Sequence, residues 1–136
     1  MCENFGVAGL DDLRRIARTL PESIEADGGF SFGVTNKGKV KGYAWVWQER
    51  LDPKKARVAN PAVFAVRVPN EIDKDLLIAS DGQKFFTEPH YNGFPAVLVR
   101  IAEVDVDELE ELLTDAWRCQ APKALVADFD GRSPRR

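Results

Sequence analysis

Histidine and cysteine are scarce in this chain, with one and two residues among 136, and each scarcity removes a class of chemistry. His90 is the sole histidine and there is no C-x-x-C pair, which leaves too few nitrogen and sulfur ligands for a structural zinc site. Cys2 and Cys119 stand at opposite ends of the chain and make no disulfide framework. Cys119, beside Trp117 at the end of a predicted helix, reads as a buried and inert thiol. Long apolar runs are missing too: none approaches the ~20 residues that span a bilayer. The start, MCENFGVAGL, carries neither the basic nor the apolar region of a signal peptide. No glycine-rich phosphate loop exists, and no Ser or Cys nucleophile lies near His90 in sequence. The expectation is a cytoplasmic protein with no membrane contact, metal or cofactor, and more readily a binding domain than an enzyme.

What is present is an ordinary globular composition, 44% hydrophobic and 30% charged. At this length one domain is expected, over residues 1–128, followed by a disordered basic tail at 129–136 that ends Arg132-Ser133-Pro134-Arg135-Arg136. The net charge of −3 argues mildly against nucleic acid as the main partner. Its distribution is uneven. Seven basic residues (Lys37, Lys39, Lys41, Arg50, Lys54, Lys55, Arg57) face two acids between positions 37 and 57, whereas 103–115 holds seven acids and no base. The chain is electrically bipolar.

Leu10, Leu13, Ile16, Ala17 and Leu20 recur at helical spacing and stop at Pro21. Phe30–Thr35 and Lys39–Gln48 read as a β-hairpin through Asn36-Lys37-Gly38, with Gly38 supplying positive φ. A third strand, Ala62–Val68, follows a thirteen-residue connection, Glu49 to Pro61, long enough to suggest mobility or function. Asn70 offers an N-cap to a short helix carrying Ile72, Leu76 and Ala79. Lys84–Thr87 and Phe94–Ile101 read as two more strands. Asp105 with Glu108 forms a capping box ahead of Val106, Leu109, Leu112, Leu113, Ala116 and Trp117 at helical spacing. Pro122 opens a last helix to about Ala127. The order predicts an α+β two-layer sandwich with about five antiparallel strands and the helices mainly on one face.

The run from Lys84 to Leu125 contains Pro89-His90-Tyr91, Gly93, Val97 to Arg100, Asp115-Ala116-Trp117-Arg118 and Ala121-Pro122-Lys123. On these residues the chain resembles the MmcQ/YjbR-like family, over roughly Leu10 to Leu125, while Lys37 to Pro61 matches in outline only. The resemblance implies the same antiparallel sheet with helices on one face. It also implies wing-like hairpins suited to DNA.

Two constellations are candidates for function. Lys37, Lys39, Lys41, Tyr43, Trp45 and Trp47 alternate, so a regular strand would put all six on one face. Cations followed by flat rings suit phosphates and stacked bases. The opposite face (Val40, Gly42, Ala44, Val46) would then lie under the helices. With Lys54, Lys55 and Arg57 this gives a basic-aromatic nucleic-acid surface, although Trp45 and Trp47 as plain core is the stronger competing reading. The second constellation is a ligand pocket of His90, Tyr91, Arg100 and Trp117 at the Pro89–Gly93 turn, with Arg100 free to pair with Glu88. Against it, His90 and Tyr91 need do no more than bond backbone groups. The acidic run 103–115 reads as a solvated helix face rather than a metal site.

Three functions follow in order. Sequence-independent DNA binding through the hairpin leads. Homodimerisation or protein interaction through an uncovered aromatic sheet face is second, and a small-ligand pocket third.

Overall fold

The computed structural model describes residues 8–26, 29–49, 52 and 54–132. Cys2, Arg50 and residues 133–136, which figured in the sequence reading, lie outside them. Helix α1 spans Leu10–Thr19, opened by the Asp12 carboxylate accepting from the Gly9 N–H at 3.0 Å. Its Leu13, Ile16 and Ala17 face inward, as their spacing predicts. Strand β1, Ser23–Glu25, was not legible: three residues are too few for a period to show. Glu25 is held from α1 by Arg14 at 2.6 Å, and its carboxyl pKa is lowered first by that hydrogen bond.

Strands β2 (Ser31–Asn36) and β3 (Lys39–Glu49) form the expected hairpin. Both central turn residues, Lys37 (φ 55) and Gly38 (φ 81), are left-handed, the conformation whose twist matches a two-residue hairpin. Strand β4 runs Val58–Arg67, longer than expected, so the connection after β3 is shorter than the sequence suggested. Between the pairs Val46–Phe64 and Trp47–Asn60, residues Pro61, Ala62 and Val63 bulge out of register. A proline has no N–H for the ladder and is tolerated at such a bulge, which is why the strand read as starting only at Ala62.

Helix α2 (Glu71–Ser80) is capped by the Asn70 side chain accepting from the Asp73 N–H at 2.8 Å. Strand β5 (Phe85–Phe86) leads through a single 3-10 turn at Pro89–Tyr91 to β6 (Ala96–Arg100). Helix α3 (Val106–Gln120) opens on the expected capping box: Asp105 accepts from the Glu108 N–H, and Glu108 accepts from the Asp105 N–H. Helix α4 (Lys123–Arg132) extends past Ala127 into the stretch read as tail. The reason is Phe129, whose ring lies 5.1 Å from that of Trp117.

The sheet is antiparallel with six strands in the order β1-β2-β3-β4-β6-β5, one strand more than expected. The main core is buried between it and the helices, and includes Leu13, Ile16, Phe32, Val34, Phe64, Val97, Val99, Leu109, Leu113 and Trp117. The fold is α+β, an open sheet with helices on one face.

Candidate functional site

The alternation that put three lysines and three aromatics on one face breaks at Tyr43. Phe32 pairs with Ala44 but the next residue, Gly33, pairs with Gly42, so Tyr43 is an extra residue in β3. A bulge of this kind re-aims every side chain beyond it. Tyr43 turns in toward the helices, fully buried, with its hydroxyl 2.6 Å from Ser23 Oγ. Burial pushes its pKa up to about 12.

Residues paired across a ladder share a face. Lys41 pairs with Val34 and Lys39 with Asn36, which places both lysines on the helix side of the sheet. Trp45 and Trp47 project from the other side, into a second cluster with Val63, Ala65, Tyr91, Ala96 and Leu98. The expected lysine–tryptophan platform therefore does not form; a single inserted residue separates its two halves. Likewise the face opposite the tryptophans is not the regular Val40-Gly42-Ala44-Val46 row: Ala44 and Val46 reach the core, while Val40 is 61% exposed.

The tryptophans are also largely covered. Trp47 is 8% exposed, and Trp45 is half-buried with its indole N–H donating to Tyr91 Oη at 3.0 Å. The Pro89–Phe94 turn folds over this face. Phe94 sits 6.4 Å from Trp45 and 6.1 Å from Tyr91, with the Arg67 guanidinium 4.9 Å above its ring. Below the turn lies Lys74, a residue that sequence reasoning missed. It is 2% exposed, and its ammonium donates to the carbonyls of Tyr91 (2.6 Å) and Phe94 (3.0 Å). Lysine on a short amphipathic helix gives no sign of such a role.

The second constellation is also divided by the sheet. His90 and Tyr91 belong to the outer turn, while Trp117 is fully buried on the helix side, its indole N–H donating to Pro21 O at 2.9 Å. Arg100 donates to Gly82 O and Gln83 O and stacks 4.1 Å over Phe86, instead of pairing with Glu88. A small hollow of about 260 Å³ is lined by Trp45, His90, Tyr91 and Phe94, without Arg100 or Trp117.

The basic residues fall into two groups. Lys54, Lys55 and Arg57 lie beyond the far end of β3 from the hairpin tip, roughly 30 Å away at 3.3 Å per residue. Arg57 there donates to Gln48 O. Lys37, Lys39 and Lys41 are exposed at the tip and form no ion pair among the described residues. The base of the tip is clamped to the end of α3: Asn36 donates to Gln120 O at 2.8 Å, and the Gln120 amide donates to Gly42 O at 3.0 Å. Exposed Lys123 starts α4 just beyond. The acids of α3 concentrate at its opposite end, about 18 Å from Gln120 at Glu108.

A larger groove lies on the helix side, where α2 covers β5 and β6 while α3 covers β2, β3 and β4. Its volume is about 810 Å³, and Cys119 is in its wall. Burial pushes the Cys119 thiol pKa up, which lowers the thiolate fraction at neutral pH. Cys119 is expected to alkylate more slowly than an unfolded-chain cysteine at pH 7.5, with the gap closing in urea; peptide mass mapping of iodoacetamide adducts measures this.

Among the described residues no group of three or more His, Cys, Asp or Glu is placed to hold a metal ion, and no helix is long and apolar enough to cross a membrane. No family model matches the sequence. The uncharacterized protein Rv2570 of Mycobacterium tuberculosis (strain ATCC 25618 / H37Rv) is 54% identical over 131 residues, covering 90% of this chain and 96% of the relative. The uncharacterized protein Mb2600 of Mycobacterium bovis matches to the same extent. The chain belongs to the family of these mycobacterial proteins. Among solved structures, the Deinococcus radiodurans protein DR2400, with domain DUF419, is similar at a TM-score of 0.60 and 24% identity, covering 82% of this chain and 77% of that one. That likeness is one of fold.

Proposed function

We propose that this chain is an MmcQ/YjbR-like domain that contacts nucleic-acid phosphates, without sequence preference, through the tip of the β2–β3 hairpin. The observation that supports this reading most is the tip itself, with exposed Lys37, Lys39 and Lys41 and no ion pair among the described residues. Unneutralised lysines on a projecting hairpin attract a polyanion and release its counterions. Lys123 extends the same end of the molecule, and the acids of α3 are held away from it. Trp45 and Trp47 take no part, being packed under the Pro89–Phe94 turn. Lys54, Lys55 and Arg57 take none either, since a tip contact does not reach them.

Fluorescence anisotropy with single- and double-stranded oligonucleotides tests the reading. About three phosphate contacts predict a log–log salt slope near −3 on duplex. The triple variant K37E/K39E/K41E is expected to lose at least about tenfold in affinity while keeping its circular dichroism spectrum. K54E, at the far end of β3, is expected to bind like wild type. Equal affinity of the triple variant and wild type would remove the tip as the binding element.

A further inference from the structure

The groove on the helix side opens because α2 lies over β5 and β6 while α3 lies over β2, β3 and β4. Its floor is the buried pair Val66 and Val68, and its walls bring Leu76 and Leu77 of α2 together with Leu112 of α3. The apolar surface does not stop at the rim. Ile72, one turn before Leu76, is 71% exposed and Leu76 is 62% exposed, the two most exposed large apolar side chains among the described residues. A small molecule seated in the groove would leave Ile72 bare. The surface therefore suits an occupant that also lies along the outside of α2, and exposed apolar strips of this kind mark places where another chain docks.

The free charges beside this surface are of one sign. Asp73 lines the groove, and Asp75 and Glu111 are exposed next to Leu76 and Leu112. None of these three acids has an ion-pair partner among the described residues. The cations nearby are engaged elsewhere. Arg118 is neutralised by Asp115 at 2.9 Å and by Asp130 at 2.6 Å. Arg67 turns its guanidinium to the outer face of the sheet, stacked on Phe94 with Nε donating to Pro95 O at 3.1 Å. Lys74, the sole basic residue of α2, is buried against the carbonyls of Tyr91 and Phe94. An apolar floor thus has an acidic rim. This pattern argues against a second copy of the chain: two-fold pairing of α2 with α2 would set its acids against one another, with no exposed base on the helix to oppose them. It matches an amphipathic helix with basic flanks, whose anchors at i, i+3 or i+4, and i+7 would follow the roughly 15 Å length of α2.

We infer that the groove between α2 and α3 receives a basic amphipathic helix of a partner protein. Its apolar side chains lie on Ile72, Leu76, Leu77 and Leu112, and its lysines or arginines face Asp73, Asp75 and Glu111.

The test titrates the full chain, to about 1 mM, with three synthetic peptides of about 14 residues. One carries leucine and lysine at amphipathic helical spacing, the second has glutamate in place of lysine, and the third has the leucine–lysine composition in scrambled order. The ordered leucine–lysine peptide is expected to become helical on binding, to shift the backbone amides of Ile72, Leu76, Leu77 and Leu112, and to slow Cys119 alkylation. It is expected to bind at least about tenfold more tightly than either of the others. I72S/L76S, at exposed positions that the fold does not need, is expected to weaken it at least about tenfold in an otherwise native spectrum. D75K/E111K is expected to abolish the preference for lysine over glutamate. Equal binding of the three peptides, unchanged affinity in I72S/L76S, or no binding at the highest concentration would overturn the inference. So would shifts confined to Asp105 and Asp107, a contact of charge alone. Self-association of the free chain through Ile72 and Leu76 would overturn it in favour of a second copy, and decylamine binding as tightly as the peptide in favour of a small molecule.

Discussion

Replacing Trp117 by alanine is expected to lower the stability of the domain by about 3–5 kcal/mol, the range for deleting a large buried aromatic. Trp117 is fully buried. It touches both ends of the helix layer: its indole N–H donates to Pro21 O beyond α1, and its ring meets Phe129 of α4. The alanine variant would leave a cavity, an unpaired carbonyl and an α4 without its main anchor. Since small domains have only about 5–15 kcal/mol in total, most of the margin would go. Urea unfolding followed by circular dichroism measures the loss. W117F separates part of the contributions, because it keeps one aromatic ring in place while removing the N–H donor and the rest of the indole. It is expected to cost about 1–3 kcal/mol, the penalty of a buried acceptor left unpaired. A W117A loss below that of W117F would show that the site collapses around the missing side chain.

The second large effect is expected at Lys74. Its ammonium is buried beneath the Pro89–Phe94 turn and closes two carbonyls that point inward. Hydrogen bonds from a charged donor contribute about 1.5–3 kcal/mol each, and removing the donor leaves each carbonyl with only its backbone partner, the Phe94 N–H on Tyr91 O and the Ala96 N–H on Phe94 O. K74M keeps the length and apolar stem of the side chain and deletes the charge. It is expected to destabilise the domain by about 2–4 kcal/mol and to loosen the turn. Trp45 reports on the turn directly, because its indole N–H is bonded to Tyr91 Oη. Its emission should shift to longer wavelength in folded K74M as water reaches the ring. A K74M protein with native stability and an unshifted spectrum would mean that the turn holds itself, through its own ring packing. The outer face of the sheet would then be more rigid than the Lys74 bonds imply.

Both residues show which parts of the molecule a linear reading reaches. The long elements were legible because their signals are local. Helix α3 announced itself by its Asp105–Glu108 capping box and by apolar residues at a helical period, and α2 by Asn70. The hairpin announced itself by Lys37-Gly38 between two strand-like runs. Trp117 was legible as a core position, though its bond to Pro21, 96 residues away, was not. β1 escaped because a three-residue strand exists only through its partner, and the full length of β4 escaped because Pro61 looks like a strand breaker unless the bulge around it is known.

The candidate site was less legible than the fold for the same reason. A strand's two-residue period assigns faces only while the register is unbroken. One extra residue at Tyr43 sends the lysines of the tip and the tryptophans behind it to opposite sides of the sheet. The one residue that hints at this bulge is Gly42, since a glycine inside a strand often marks one; there Tyr43 and Ala44 both turn inward, the Tyr43 hydroxyl next to Ser23. The sequence by itself determined the fold class, the order of the long elements, the helix caps and the bipolar charge, all carried by neighbours within a few residues of one another. Only the tertiary structure decided which cations stand free, which aromatics are covered, and that Lys74 and Arg67 are held in place. Those properties depend on which distant segments meet, and burial and hydrogen bonding are set only at such meetings.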